Sequence, residues 1–354
     1  MPWKEQNTMS LRTEFVLRAL GEEIPFIELC REFGISAKTG YKCKERFFQE
    51  GWSGLVDRSR RPATSPDQLT EDVVCTIVRL KQAHPRWGPR KIRDLYGRKH
   101  PGSQLPSESS FKRVLDKAGL VEKRTRRPSR DGGRLQTRAA AEKPNDVWTV
   151  DFKGWWYTPE KERCEPLTVR DQFSRYVLCA CPVVDSRAET VRQRFETLFE
   201  RYGLPQTIRS DNGPPFAASN SPLGLSRLSA WWMTLGIDLD RIDPGRPDQN
   251  GGHERMHRDL AWEIERANRG DLKTQEAALA TWRTTFNHER PHEALNMRRP
   301  ADLYEPSTRR YKGTPDRLTY PANYLERKVN KGGAIRIEGI RIRLTVALGG
   351  WNVG

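Results

Sequence analysis

The chain has 354 residues, enough for two to four domains, and carries 62 Lys and Arg against 46 Asp and Glu, a net charge of +16. Residues 1–145 hold 30 basic and 18 acidic side chains, leaving 32 and 28 for the remainder, so the excess positive charge that would face a polyanion lies at the amino-terminal end. A membrane protein and a secreted disulfide scaffold are excluded: no apolar run approaches the roughly 18 residues of a membrane span, the polar start Met-Pro-Trp-Lys-Glu is no signal peptide, and the six cysteines show no paired spacing and read as reduced, mostly buried thiols of a cytoplasmic protein.

The first predicted unit, residues 1–62, is a helix-turn-helix. Apolar positions at Leu17, Leu20, Phe26, Leu29 and Cys30 precede Gly34, and Ser36 is placed to cap a helix through Lys38, Thr39, Lys42 and Arg46. That helix would present its basic and hydroxyl side chains to a DNA major groove; a solvated helix face is the plainer reading of the same charges. A second three-helix unit is predicted over residues 63–120, with helices near 69–83, 88–96 and 107–117. Its last helix buries Phe111, Val114 and Leu115 and exposes Ser109, Lys112 and Arg113 as DNA contacts. Residues 121–145, with eight basic side chains, three acids, two adjacent glycines and an Ala triplet, read as a basic linker.

From residue 146 the pattern becomes α/β. Strands are predicted over 147–157, 166–172 and 176–184, followed by a helix over 187–202 with apolar positions Val191, Phe195, Leu198 and Phe199, and by strands over 207–210 and 238–242. Asp151 falls in or near the end of the first strand, and Asp211 follows Thr207 and Ile208 where a strand stops at an Asp-Asn-Gly turn. Beyond Asn250-Gly251-Gly252 no Gly or Pro occurs from His253 to Asn268, which puts Glu254 in a first helical turn. Each acid has a plain structural role available to it: strand-end acid, turn former, and charge favoured by the helix dipole. Asp171 and Asp185 read as turn and strand-end acids, and the pairs Trp155-Trp156 and Trp231-Trp232 as core.

Three carboxylates together suit a reaction at a phosphodiester. Hard oxygen ligands hold Mg²⁺ while leaving positions for water and phosphate oxygens, and two such ions can activate an attacking oxygen and stabilise a leaving one.

The words VWTVDFKG (147–154), LTVRDQFSRYV (167–177), YGLPQTIRSDNGPPF (202–216), PGRPDQNGGHERMHRDL (244–260) and FNHERPHEALNMRRPADLY (286–304) resemble the DDE transposases of bacterial insertion sequences. The resemblance implies a multidomain protein: tandem all-α helix-turn-helix domains, an α/β RNase H-like integrase core with carboxyl-terminal helices over 146–310, and a small β domain over 311–354. It makes Asp151, Asp211 and Glu254 the catalytic, metal-binding acids and implies two Mg²⁺ ions, with Mn²⁺ as a substitute. The implied activity is binding of element-end repeats, cleavage at 3′ ends and joining of the 3′-hydroxyl to target DNA. Double-stranded DNA and at least one further copy of the chain are the implied partners, at the nucleoid in the bacterial cytoplasm.

One departure is visible. Forty-two residues separate Asp211 from Glu254, against about 35 in the family, with a Ser/Pro/Gly/Ala-rich loop at 217–228 as the source of the excess. Asp248, separated from Asp211 by 36 residues, competes by interval but belongs to a loop. His257 and Arg258 share the helical face of Glu254 and are the expected phosphate contacts near the cut; His288 and His292 read as structural. The alternation Ile335-Arg336-Ile337 and Ile340-Arg341-Ile342-Arg343 predicts a β unit with one buried and one basic face, too few strands to close a barrel. Two other functions fit the same words: an RNase H-like nuclease without strand transfer, and a domesticated DNA-binding regulator. Retention of all three acids argues against the regulator.

Overall fold

Asn7 and Ser36 each begin a helix by accepting a backbone N–H with the side chain, Asn7 from Met9 and Ser36 from Thr39 at 3.2 Å. The amino-terminal helices are α1 (Thr8–Gly21), α2 (Phe26–Glu32) and α3 (Ala37–Glu50). Their core is Phe15, Val16, Ala19, Leu29, Cys30 and Leu55. Leu17 and Leu20, read from the sequence as apolar face positions, are instead 54% and 39% exposed. The inward stripe of α1 runs through 15, 16 and 19, which leaves 17 and 20 beside it. Gly40 is required here, since a Cβ would meet the Cys30 sulfur at 2.5 Å.

The computed structural model describes residues 7–57, 68–121, 141–218, 221–243, 245–267 and 270–354. The chain divides into two units, Met1–Leu69 and Thr70–Gly354. Most of the basic linker expected at 121–145 lies outside the described residues.

The second unit opens with α4 (Glu71–Ala83), α5 (Pro89–Lys99) and α6 (Glu108–Lys117). Pro89 sits in the first turn of α5, where its missing N–H is harmless, and Ser107 caps α6 by accepting from Ser110. Ile77, Ile92, Leu95, Phe111 and Leu115 are buried between the three helices. This bundle is docked on the rest of its unit: the Arg86 guanidinium lies over the Trp262 ring at 4.1 Å, and Arg98 Nη2 donates to the Met297 carbonyl at 2.9 Å.

The α/β part contains β1 (Val147–Phe152), β2 (Trp156–Tyr157), β3 (Arg163–Cys164), β4 (Pro166–Asp171), β5 (Val177–Pro182), α7 (Ala188–Tyr202), β6 (Thr207–Ser210), α8 (Arg227–Thr234), β7 (Asp238–Arg241), α9 (Gly251–Leu260) and α10 (Leu272–His288). Five strands make one sheet in the order β5-β4-β1-β6-β7. Neighbours pair antiparallel from β5 to β1 and parallel from β1 to β7. The first predicted strand, 147–157, stops early: Gly154 takes φ +87°, and Trp156–Tyr157 leaves the sheet to form a small hairpin with Arg163–Cys164.

Alternation along β1 then sorts side chains to two layers. Trp148 and Val150 enter a core with Val191, Phe195, Phe199, Trp231 and Trp232 of α7 and α8. On the other face, Met256, Leu260, Leu279, Trp282 and Phe286 of α9 and α10 cover Trp156, Cys164, Val177 and Ala180.

The chain finishes with β8 (Arg327–Lys328), β9 (Ala334–Ile337), β10 (Ile340–Arg343) and β11 (Asn352–Val353), paired β9 with β10 and β8 with β11. The expected single buried face is confined to β9. Ala334 and Ile335 are buried, whereas Ile340 and Ile342 of β10 are 67% and 40% exposed, because no second layer covers that strand among the described residues.

Candidate active site

Strands β1 and β6 run parallel with Val147 opposite Thr207, Trp148 opposite Ile208 and Thr149 opposite Arg209. Carrying that register two residues further sets Asp211 beside Asp151 at the carboxyl ends of both strands, where α/β sheets place ligands. The Asp151 side chain remains 28% exposed. Asp211 accepts the Gly213 N–H through Oδ1 at 3.2 Å, which folds the turn back under the carboxylate.

Glu254 enters from the third element. It occupies the first turn of α9, and its side chain is exposed. The helix is pinned to the sheet by His253, fully buried immediately before it. His253 Nδ1 lies 2.8 Å from Thr149 Oγ1 and Nε2 lies 2.7 Å from Thr168 Oγ1. Thr168 also donates to the Asp151 carbonyl at 2.8 Å and meets His257 Nε2 at 2.7 Å. A hydroxyl has one proton, and Thr168 gives it to Asp151, so both imidazoles donate to Thr168 through Nε2, while the Thr149 hydroxyl sits between His253 Nδ1 and the Arg170 carbonyl, 3.3 Å away. Burial holds His253 well below the usual histidine range and pushes His257 down to about 3, so both rings are neutral.

Burial, then the charges of Asp211 and Glu254, push the Asp151 carboxyl up to about 7. Burial also raises Asp211, against the Gly213 hydrogen bond. His257 Nδ1 stands 3.9 Å from Asp151 Oδ2, within ion-pair range, but a neutral ring supplies no charge there. Two adjacent carboxylates with raised proton affinity are acids that lack a compensating cation. An all-oxygen donor set is what hard divalent ions prefer, so these residues fit Mg²⁺ or Mn²⁺. With the side chains as they stand, no group of three His, Cys, Asp or Glu among the described residues is drawn together around a point where an ion would sit.

The expected DNA-contact residues divide into two kinds. Lys38, Thr39 and Lys42 on α3, Ser109, Lys112 and Arg113 on α6, and Arg258 on α9 are exposed. Arg46 instead turns back on its own unit and donates to the Val56 carbonyl at 3.0 Å. His257 is likewise directed inward, its side chain 12% exposed and held by Thr168. The competing Asp248 has a side chain outside the described set.

Other assignments resolve locally. Asp171 accepts from the Asn145 and Ser174 amides at 2.7 Å each and is a turn acid; Asp185 accepts from Arg187 and Thr190 before α7. Trp156, Trp231 and Trp232 are buried, but Trp155 is 53% exposed and is not core. His292 is buried, with burial and nearby cations pushing it down to about 2, and His288 packs edge-on to Tyr176. Sequence reasoning missed Thr149, Thr168, His253 and Arg170. The period-two placement of 168 and 170 on one face of a strand, facing the His-Glu pair, is the signal that identifies them.

Two integrase core domain models match residues 141–247 and 235–300, a helix-turn-helix domain model matches 11–63, and a homeodomain-like model matches 39–115. The chain is 30% identical over 259 residues to an uncharacterized 39.2 kDa protein of insertion element IS476 from Xanthomonas euvesicatoria, covering 71% of this chain and 70% of that one. It is 28% identical to an uncharacterized 31.7 kDa protein of insertion element IS407 from Burkholderia multivorans, covering 67% and 82%. Among solved structures, the catalytic core domain of BIV integrase matches at 24% identity with a TM-score of 0.35, over 45% of this chain and 93% of that one. Amino-terminal helix-turn-helix units precede an RNase H-like core of mixed sheet and flanking helices, and the chain belongs to the insertion-element transposases of the DDE/integrase type.

Proposed function

We propose that the chain is a DNA transposase that binds the terminal repeats of its own element, cleaves at the element's 3′ ends and joins the freed 3′-hydroxyls to target DNA. The observation that carries this reading is the pairing of Asp151 with Asp211 at adjacent strand ends, both with raised proton affinity, and with Glu254 acting on Asp151 from α9. Asp151, Asp211 and Glu254 would hold two Mg²⁺ ions, or Mn²⁺ in their place, which when bound supply Lewis acidity to the phosphodiester and to the attacking oxygen.

The chain's own contribution is position and charge. Strands β1 and β6 fix two carboxylates in one register, and the His253–Thr168 contact fixes α9 against them. In cleavage, a water oxygen bonds to phosphorus and the bond to the 3′-oxygen breaks, leaving a 3′-hydroxyl on the element. In joining, that hydroxyl bonds to a target phosphorus and releases a target 3′-hydroxyl, so no outside energy source is needed. Joining two ends together calls for at least two catalytic domains and hence a homo-oligomer on DNA. Residues 1–145 would read the repeat, through Lys38, Thr39 and Lys42 on α3 and Ser109, Lys112 and Arg113 on α6.

The test is incubation of the full chain with labelled duplex carrying the element's own terminus, a target plasmid and Mg²⁺. Joined product supports the reading; cleavage without joining supports a nuclease; binding alone supports a regulator.

A further inference from the structure

We propose that Arg175 and Arg255, backed by the buried Arg170, hold a backbone phosphate of bound DNA at the end of the sheet where β4 turns into β5. The inference rests on the reading of the chain as an enzyme acting on DNA, and it identifies a grip on the DNA backbone separate from the three acids.

Arg170 is 5% exposed near the carboxyl end of β4, on the same face as Thr168. Its Nη1 donates to the Gly252 carbonyl at 2.6 Å, while its buried Nε has no partner. A Cβ on Gly252 would meet Arg170 Nη2 at 2.5 Å, so the second glycine of the Asn-Gly-Gly turn makes room for this guanidinium under α9. A buried cation is costly unless an anion offsets it. The acid that acts on Arg170 is Asp171, whose oxygens are engaged by Asn145 and Ser174.

The side chains that gather around this cation are also positive. Arg255 stands one helical turn beyond Gly252, on the same stripe of α9. Arg175 lies in the turn between β4 and β5 and holds φ +64°, an unfavourable backbone angle for a side chain with a Cβ. Neither Arg175 nor Arg255 makes a hydrogen bond or ion pair among the described residues, and the three guanidiniums act on one another as like charges. Three mutually repelling arginines, one buried and one on a strained backbone, form a cluster that a phosphate would complete. Arginine's fork suits that anion. Asp171 pairs with Trp148, so the β4–β5 turn and the cluster lie at the amino-terminal end of β1, at the other end of the sheet from Asp151 and Asp211.

The test is the salt dependence of DNA affinity, measured with the full chain and a generic duplex. Arg255→Gln changes an exposed helix position, and Arg175→Gly relieves the positive φ, so both variants should fold. Each is expected to weaken binding at low salt and, together, to reduce the slope of log affinity against log salt by about one. Arg255→Lys, which keeps the charge, should retain the wild-type slope. A wild-type slope in the folded Gln and Gly variants overturns the inference while leaving the transposase reading intact; a wild-type chain without salt-dependent DNA binding overturns both.

Discussion

Thr168 and His253 meet at 2.7 Å, hydroxyl to Nε2, joining strand β4 to the helix that carries Glu254. The same hydroxyl donates to the Asp151 carbonyl, so one buried side chain fixes the relation of two acids that come from different elements. Thr168→Val keeps the shape but leaves two imidazole N–H groups and a carbonyl without partners. Each costs about 1–3 kcal/mol, and urea unfolding should show a loss in that range or above. Thr168→Ser should recover most of it. A Val variant as stable as wild type would remove the clasp from the account.

Asp151 should destabilise the metal-free protein at neutral and higher pH. Its folded carboxyl, raised to about 7, still holds a proton where the unfolded chain, at about 3.8, has lost it. Stability present below the unfolded value is therefore lost as pH rises toward 7, by at most roughly 4 kcal/mol. In chelator at pH 8, Asp151→Asn should melt several degrees above wild type, with the gain gone near pH 4. Equal melting at both pH values would mean that the carboxyl is not under this pressure.

The two adjacent glycines before Glu254 should behave differently. A Cβ on Gly251 meets nothing within 4 Å, whereas one on Gly252 collides with Arg170. Gly251→Ala is expected to be near neutral, and Gly252→Ala to cost about 1–3 kcal/mol through displacement of the guanidinium. Thermal unfolding of the pair checks the ranking, and reversal would show that Arg170 is not held there.

On α3, Lys42 is exposed while Arg46 donates to Val56. Lys42→Ala should weaken duplex binding several-fold at low salt without loss of stability. Arg46→Ala should cost about 1 kcal/mol of stability through the lost hydrogen bond. Fluorescence anisotropy and thermal melts on both variants separate the roles; Arg46→Ala lowering affinity with an unchanged melt would return it to the DNA face.

What the sequence made legible was local chemistry. Ser36 reads as a cap because a hydroxyl before a polar helix has few other uses, and Asp211 reads as a strand-end acid because Asp-Asn-Gly cannot continue a strand. What it hid was tertiary. Nothing in Arg46 distinguishes a groove contact from a tether to Val56, and His257 looked outward only as long as the burial of α9 against Thr168 was unknown. Leu17 and Leu20 misled because a short helix needs only a narrow stripe inside, and surplus leucines remain on the surface. The strand pattern of the sequence runs past the end of β1 because Trp156 and Tyr157 have high strand propensity, and they do form a strand, but in another sheet.

The central claim is that Asp151, Asp211 and Glu254 act together in phosphoryl transfer. Its most direct measurement is joining of a pre-cleaved element end to plasmid DNA in Mg²⁺, with Asp151→Asn, Asp211→Asn, Glu254→Gln and Asp248→Asn compared at equal DNA occupancy. The account predicts loss of joining in the first three with DNA binding retained, and most of the activity kept by Asp248→Asn. Near-wild-type joining by any of the first three, or loss in Asp248→Asn with activity in Glu254→Gln, would contradict it.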